Sequence, residues 1–285
     1  MDGEITHSAD QIHRRRPTAL FDAHSVARTL WQIALALIVF TVLGWLIWRG
    51  ALAMEYNWQW YRVKPFFYKI IDDEIIWGPL VRGLIETLKL AGISGVFAIL
   101  LGFIVAIARM SSSIAGRIIA TWYLEAIRNT PLLVQLFLFY FVLAPIFGMD
   151  RFWAGVLCLS FFEASFAAEI IRGGIQGVDK GQFEAGDAIG LNATDKFRFI
   201  VIPQAMPLIL PPLTGLLISL IKHSAIVSVI AVAELTTEGL NLISDTFMAF
   251  EVWFLVAGIY LALTITLSIG VSLFEKKLNS HKRTT

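Results

Sequence analysis

Apolar residues do not alternate with polar ones along this chain. They run in long blocks broken by short polar stretches. A helix that crosses a bilayer needs about 20 largely apolar residues. Six blocks meet that requirement: residues 31–48, 83–108, 118–144, 152–171, 206–232 and 252–274. The second and third are long enough to cross at a tilt. Trp31 and Trp48 bracket the first block, and indole rings favour the membrane–water boundary. No Ala-x-Ala cleavage site follows, so this block reads as an uncleaved span rather than a secretory signal. The stretch Tyr56-Asn57-Trp58-Gln59-Trp60-Tyr61 reads as an aromatic segment lying at the interface. The expected organisation is a tail over 1–30, a first span over 31–48, an outer connection over 49–82, a transmembrane domain over 83–275 and a tail over 276–285.

Lys and Arg set the orientation, because positive loops stay in the cytoplasm. With six spans, Arg14–Arg16, the turn at Arg109 and Arg117, the loop carrying Arg172, Lys180, Lys196 and Arg198, and Lys276, Lys277, Lys282 and Arg283 share one side. The connection over 233–251 on the other side has no Lys or Arg. Both termini and the charged loop are therefore expected in the cytoplasm. The first outer connection, with Arg62, Lys64 and Lys69, is the basic exception.

Composition agrees. The chain has 285 residues, of which 57% are hydrophobic and 16% charged, with mean hydropathy +0.70. A soluble domain carries about 25% charged residues. The net charge of +1 and the lack of a basic stripe offer nothing to nucleic acid. Cys158 is the single cysteine and reads as a small packing residue. No Gly-x4-Gly-Lys-Ser/Thr phosphate cradle, no His/Cys set with metal spacing and no Gly-x-Ser-x-Gly is present. The expected chemistry comes from residues within the membrane or from a partner; the chain itself is not expected to be an enzyme or to hold a metal.

One charged loop, 172–205, interrupts the apolar pattern. Residues 181–189 read as a short helix, with Ala185, Ala188 and Ile189 on one face and Glu184 and Asp187 at polar positions. Gly190 supplies the positive φ that ends it. Asn192 reads as the cap of a second short helix, with Asp195 in capping-box position. Phe197, Ile200 and Val201 follow before Pro203. Two short helices about a glycine turn make a compact knob suited to docking; a loop resting on the membrane surface is the alternative.

The run Glu184-Ala185-Gly186-x3-Gly190-x9-Ile200-x-Ile202-Pro203 resembles the Glu-Ala-Ala-x3-Gly-x9-Ile-x-Leu-Pro signature of the membrane subunits of bacterial ATP-binding-cassette importers. Gly186 stands for the second Ala and Ile202 for Leu. Arg128-Asn129-Thr130-Pro131-Leu132-Leu133-Val134-Gln135, Ala168-Glu169-Ile170-Ile171-Arg172-Gly173-Gly174-Ile175 and Ile218-Ser219-Leu220-Ile221-Lys222 are similar to the polar-amino-acid branch. His223-Ser224-Ala225 departs from the Asp or Asn, then Thr or Ser, usual there. The resemblance covers roughly residues 80–275. It implies an all-α integral membrane protein of about six spans, a type I importer permease bundle with a cytoplasmic coupling helix. It implies a second permease subunit (copy or sister), two ATPase subunits that hold ATP and Mg, and a periplasmic amino-acid-binding protein. Glu184, Ala185, Gly186, Asp187, Gly190, Ile200 and Pro203 would then be the ATPase-docking residues.

Ionisable groups at bilayer depth cost about 2.5–3.5 kcal/mol to insert, so each marks a candidate site. Arg128 lies in the third block with Glu125 one turn earlier, placed to neutralise it. Pro131 frees the carbonyl of Ile127. Glu163 and Glu169 lie in the fourth block, Lys222 and His223 in the fifth, which also contains Pro207, Pro211 and Pro212. A guanidinium can clamp a carboxylate, so Arg128 is the candidate for a substrate carboxylate and Glu163 or Glu169 for its ammonium. Gln135, Lys222 and His223 are further pathway candidates. The same residues could serve only as an interhelix ion network, and Gln135 as a helix–helix hydrogen bond. Lys89 and Glu86 read as snorkelling residues at an interface. The competing function is an ion-coupled carrier working alone, with Glu163 or Glu169 as its proton site.

Overall fold

The computed structural model describes residues 23–54 and 56–280. Arg14–Arg16 of the expected first tail and Lys282 and Arg283 of the last lie outside the described residues. The chain divides into two units, 1–58 and 59–285.

The first unit holds α1 (Ala23–Ala53), whose apolar stretch Leu30–Ala53 extends beyond both bracketing tryptophans. It is apolar on every side, the pattern of a helix solvated by lipid.

The second unit opens with α2 (Lys64–Phe67) and a two-stranded antiparallel hairpin, β1 (Tyr68–Ile71) and β2 (Glu74–Trp77). Asp72 and Asp73 both take positive φ at its turn, as a tight hairpin turn requires. The hairpin lies within the expected connection over 49–82 and is an addition to the all-α expectation. Next come α3 (Pro79–Met110) and α4 (Ile114–Arg128), the latter begun by Ser113, whose hydroxyl accepts from Gly116 N–H at 3.2 Å.

The third apolar block is not one helix. It breaks at Asn129–Pro131, and the direction changes by 105° between Ile114–Arg128 and Leu132–Phe147. The second arm is α5 (Leu132–Phe137), a wide π turn (Leu138–Leu143) and α6 (Ala144–Phe147). Pro131 lacks an N–H and holds extended backbone with ψ 136°, so the helical ladder cannot run through it.

Asp150 caps α7 (Arg151–Gln176) by accepting from Trp153 N–H at 3.0 Å. Two short helices follow, α8 (Lys180–Ala188) and α9 (Ala193–Lys196), then a π turn (Phe197–Val201) into α10 (Ile202–His223). Pro207, Pro211 and Pro212 do not interrupt α10, which stays helical through all three. A 3₁₀ turn (Ser224–Ile230), α11 (Leu235–Thr246) and α12 (Ala249–Ser280) complete the chain.

Small residues hold the bundle together. A Cβ on Gly102 of α3 would lie 2.7 Å from Ala167 Cβ and 3.1 Å from Ala164 O of α7. Higher on the same seam, Ser160 donates to Ser94 O and Ser94 to Val156 O, each at 3.3 Å. Close backbone approach with hydroxyl bridges is how helices associate where hydrophobicity cannot drive them together. Three buried clusters succeed one another along the bundle: around Val105, Ile171 and Leu213; around Leu90, Leu159 and Leu220; and around Leu80, Leu235 and Met248.

Candidate functional site

Two polar regions carry the expected site residues. The first is the knob. Asp179 starts α8 by accepting from Gly181 N–H at 2.6 Å. Gly190 has φ +78°, a left-handed value that strains any residue with a Cβ, and it turns the chain out of α8. Asn192 accepts from Asp195 N–H at 2.9 Å and its amide donates to Asp195 Oδ2 at 2.7 Å, so both polar ends of this capping pair are used. Lys196 pairs with Asp187 and ties α9 to α8. Gly186 is buried, and a methyl there would meet the Lys196 and Ile200 side-chain ends at 3.0 Å. That is a tight but yielding contact, which explains why Gly and Ala both suit the position. Pro203 lies at the start of α10. Glu184, Ala185, Ala188 and Ile189 face outward, Ile189 with 73% of its surface exposed.

The second region lies between α4, α7 and α10. Glu163 of α7 is buried with 3% of its side chain exposed, and its Oε1 is hydrogen-bonded to His223 Nδ1 at 2.5 Å. The imidazole is 44% exposed and stands edge-on to the Phe162 ring at 6.1 Å. Phe162 contacts Phe166 at 5.2 Å, and the Arg128 guanidinium lies 5.1 Å above Phe166. Arg128 Nη2 donates to Ser165 O at 2.8 Å. The expected Glu125–Arg128 pairing does not form. Glu125 accepts instead from Asn129 Nδ2 at 2.8 Å, because the break at Pro131 turns Asn129 back onto its own helix. Gln135 braces the same break: its Nε2 donates to the freed Ile127 O at 2.7 Å and to Thr130 Oγ1 at 2.8 Å.

Glu169 does not join this cluster. Arg109 of α3 pairs with it, and Arg172 donates to its Oε2 through Nη2 at 2.6 Å. Lys222 is exposed and makes no ion pair among the described residues. Lys89 and Glu86 pair with each other at 2.7 Å on the surface. Arg128, Glu163 and His223 are therefore linked through one aromatic pair, while Glu169 is held by Arg109 and Arg172 and Gln135 braces the break beside Arg128.

Sequence reasoning missed four groups. The Ser165 carbonyl leaves no trace in a sequence. Phe162 and Phe166, spaced one turn apart around Glu163, were legible as an aromatic face. Glu234 is fully buried and caps α11 through Thr236 and Thr237 N–H at 2.9 Å, with the Tyr260 hydroxyl donating at 2.9 Å. Burial pushes its carboxyl above the ordinary range, against the pull of these hydrogen bonds. The acidic residue followed by two threonines at a helix start was a legible signal.

Among the described residues, no group of three or more His, Cys, Asp or Glu side chains is arranged to hold a metal ion.

Relatives place these features. Residues 98–280 match the family described as binding-protein-dependent transport system inner membrane component. The probable glutamine ABC transporter permease protein GlnM of Bacillus subtilis is 39% identical over 198 residues, covering 69% of this chain and 91% of that protein. The glutamine transport system permease protein GlnP of Escherichia coli K12 is 34% identical over 216 residues, covering 73% and 97%. The arginine transport system permease protein ArtQ of Bacillus subtilis is 34% identical over 204 residues, covering 71% and 93%. The crystal structure of an amino acid ABC transporter with histidines superposes with TM-score 0.66 at 42% identity, over 70% of this chain and 94% of that one. An inward-facing structure of the MetNI methionine ABC transporter, at 21% identity and TM-score 0.60, shares the fold, over 70% and 95%. The expected permease bundle is thus the fold observed, and the ion-coupled lone carrier is set aside. The chain belongs to the family of binding-protein-dependent ABC transport inner membrane components, the membrane-spanning permeases whose ATPase is a separate chain.

Proposed function

We propose that this permease imports a polar amino acid across the bacterial inner membrane, with both termini and the knob in the cytoplasm. A periplasmic binding protein delivers the substrate, and a second permease subunit, copy or sister, completes the pathway. Two ATPase subunits, holding ATP and Mg, receive the knob. The observation that carries this reading is the outward face of α8. Glu184, Ala185, Ala188 and Ile189 stand exposed on a helix whose other side is fastened by Gly186, Ile200 and the Asp187–Lys196 pair. Such a knob can be pushed as a body. ATP binding that draws the ATPases together then favours one arrangement of the spans over the other, which is a coupling free energy between two sites.

Arg128 would receive the substrate carboxylate, and Glu163 with His223 the remainder of the molecule. His223 already occupies Oε1 of Glu163, which leaves less of this carboxylate for a guanidinium and supports an uncharged polar side chain. The names of the relatives, glutamine permeases among them, point the same way.

Purified permease with its ATPase and binding protein in liposomes tests the docking. Glu184→Lys and Gly190→Val should leave assembly in the membrane intact while uptake per ATP hydrolysed falls by at least about tenfold, the factor that 1.4 kcal/mol of lost coupling gives. Full uptake in both variants would refute the docking role.

A further inference from the structure

At the start of α4 the bundle carries a groove that neither the transport pathway nor the knob uses. Arg109, Ile114, Arg117, Ile118, Thr121 and Trp122 line about 390 Å³ of open space on the outer surface. Ile114, Ile118 and Trp122 turn outward, Trp122 with 72% of its surface exposed. Their chemistry is that of acyl chains and of the membrane boundary, where indole rings collect.

The groove is lined by two guanidinium groups and by no carboxylate. Arg109 and Arg172 share the single carboxylate of Glu169. Arg117 makes no ion pair among the described residues. The groove thus presents surplus guanidinium charge at the foot of an apolar wall, with the Thr121 hydroxyl beside it. A guanidinium offers paired N–H donors that match two phosphate oxygens. Covering Arg117 with an apolar protein face would strand a buried charge, which is costly. A phosphate with hydrocarbon attached satisfies both halves of the groove at once. Basic clefts between spans on the cytoplasmic side hold anionic headgroups for this reason.

We propose that this groove is a binding site for an anionic phospholipid, with the headgroup phosphate on Arg117 and Arg109 and an acyl chain along Ile114, Ile118 and Trp122. The lipid would fasten the start of α4, the arm that leads to Arg128.

The test uses the assembled transporter in nanodiscs of phosphatidylcholine alone and of phosphatidylcholine mixed with phosphatidylglycerol. Native mass spectrometry counts the lipids that stay bound. Phosphatidylglycerol should be retained in preference to phosphatidylcholine. Arg117→Ala and Arg117→Gln should each lower that retention about fivefold, the worth of one basic residue at an anionic surface. Arg62→Ala, in the hairpin-end connection, should leave it unchanged. Equal retention of both lipids, or retention indifferent to Arg117, would overturn the proposal. Equal hydrogen-exchange protection of residues 114–122 in both kinds of disc would also overturn it, since the anionic lipid then does not fasten this arm.

Discussion

Glu163 and Glu169 sit on one helix, less than two turns apart, and are held in opposite ways. Glu169 is clamped by Arg109 and Arg172, from two directions, near the knob end of the bundle. Glu163 lies deeper and, among the described residues, has one partner, an imidazole that is itself half open. A carboxylate with two guanidinium partners has little left to offer a ligand, and moving either partner leaves an unbalanced charge. A carboxylate with one exposed partner can exchange it. The helix α7 therefore contains a fixed polar joint and an exchangeable one, and the second is linked to Arg128 through Phe162 and Phe166.

The largest test of that contrast is Glu163→Gln. Losing one charge-assisted hydrogen bond to substrate should cut uptake by about ten- to a hundredfold. The amount of inserted permease and its co-purification with the ATPase should not change. Equal uptake would make Glu163 another structural joint. Glu169→Ala should do the reverse. It leaves Arg109 and Arg172 facing each other, and because these side chains are partly exposed the cost is about 1–3 kcal/mol. The thermal midpoint in detergent should fall, while uptake per folded molecule stays at the wild-type value. The smallest effect sharpens the comparison with a third carboxylate. Glu234 has hydroxyl and backbone donors, and burial raises its pKa above the unfolded value. The native state then binds more protons than the unfolded chain between those two values. Stability should fall as pH rises through that window and level off above the native pKa. Glu234→Gln should remove this slope in thermal melts taken across the acidic range; a slope unchanged in the variant would show that Glu234 does not set it.

Local signals made the knob legible. Asp179, Gly190 and Asn192 each act within three residues of themselves, so the sequence alone locates both helices and the turn. The break at Pro131 was visible as a proline but not as a 105° change of direction, because Thr130 and Gln135 supply the hydrogen bonds that let it stay open. The hairpin over 68–77 escaped because its strands repeat apolar residues side by side, Ile70-Ile71 and Ile75-Ile76, instead of alternating. The partner of Glu163 lies 60 residues away on another helix, and that of Arg128 is a carbonyl. Neither distance nor backbone acceptor is written in the order of residues. Six apolar blocks were expected, and the described residues give five long helices plus the bent pair.

Gly102 has a mechanical consequence. With Ala167 pressed against it, α3 and α7 have no slack to slide past one another, so they would travel as one stave. A change of shape would be absorbed where the helical ladder is already irregular, at Asn129–Pro131 and at the wide turns over Leu138–Leu143 and Phe197–Val201. Such breaks would serve as hinges, and the α3–α7 stave as the handle that moves with them.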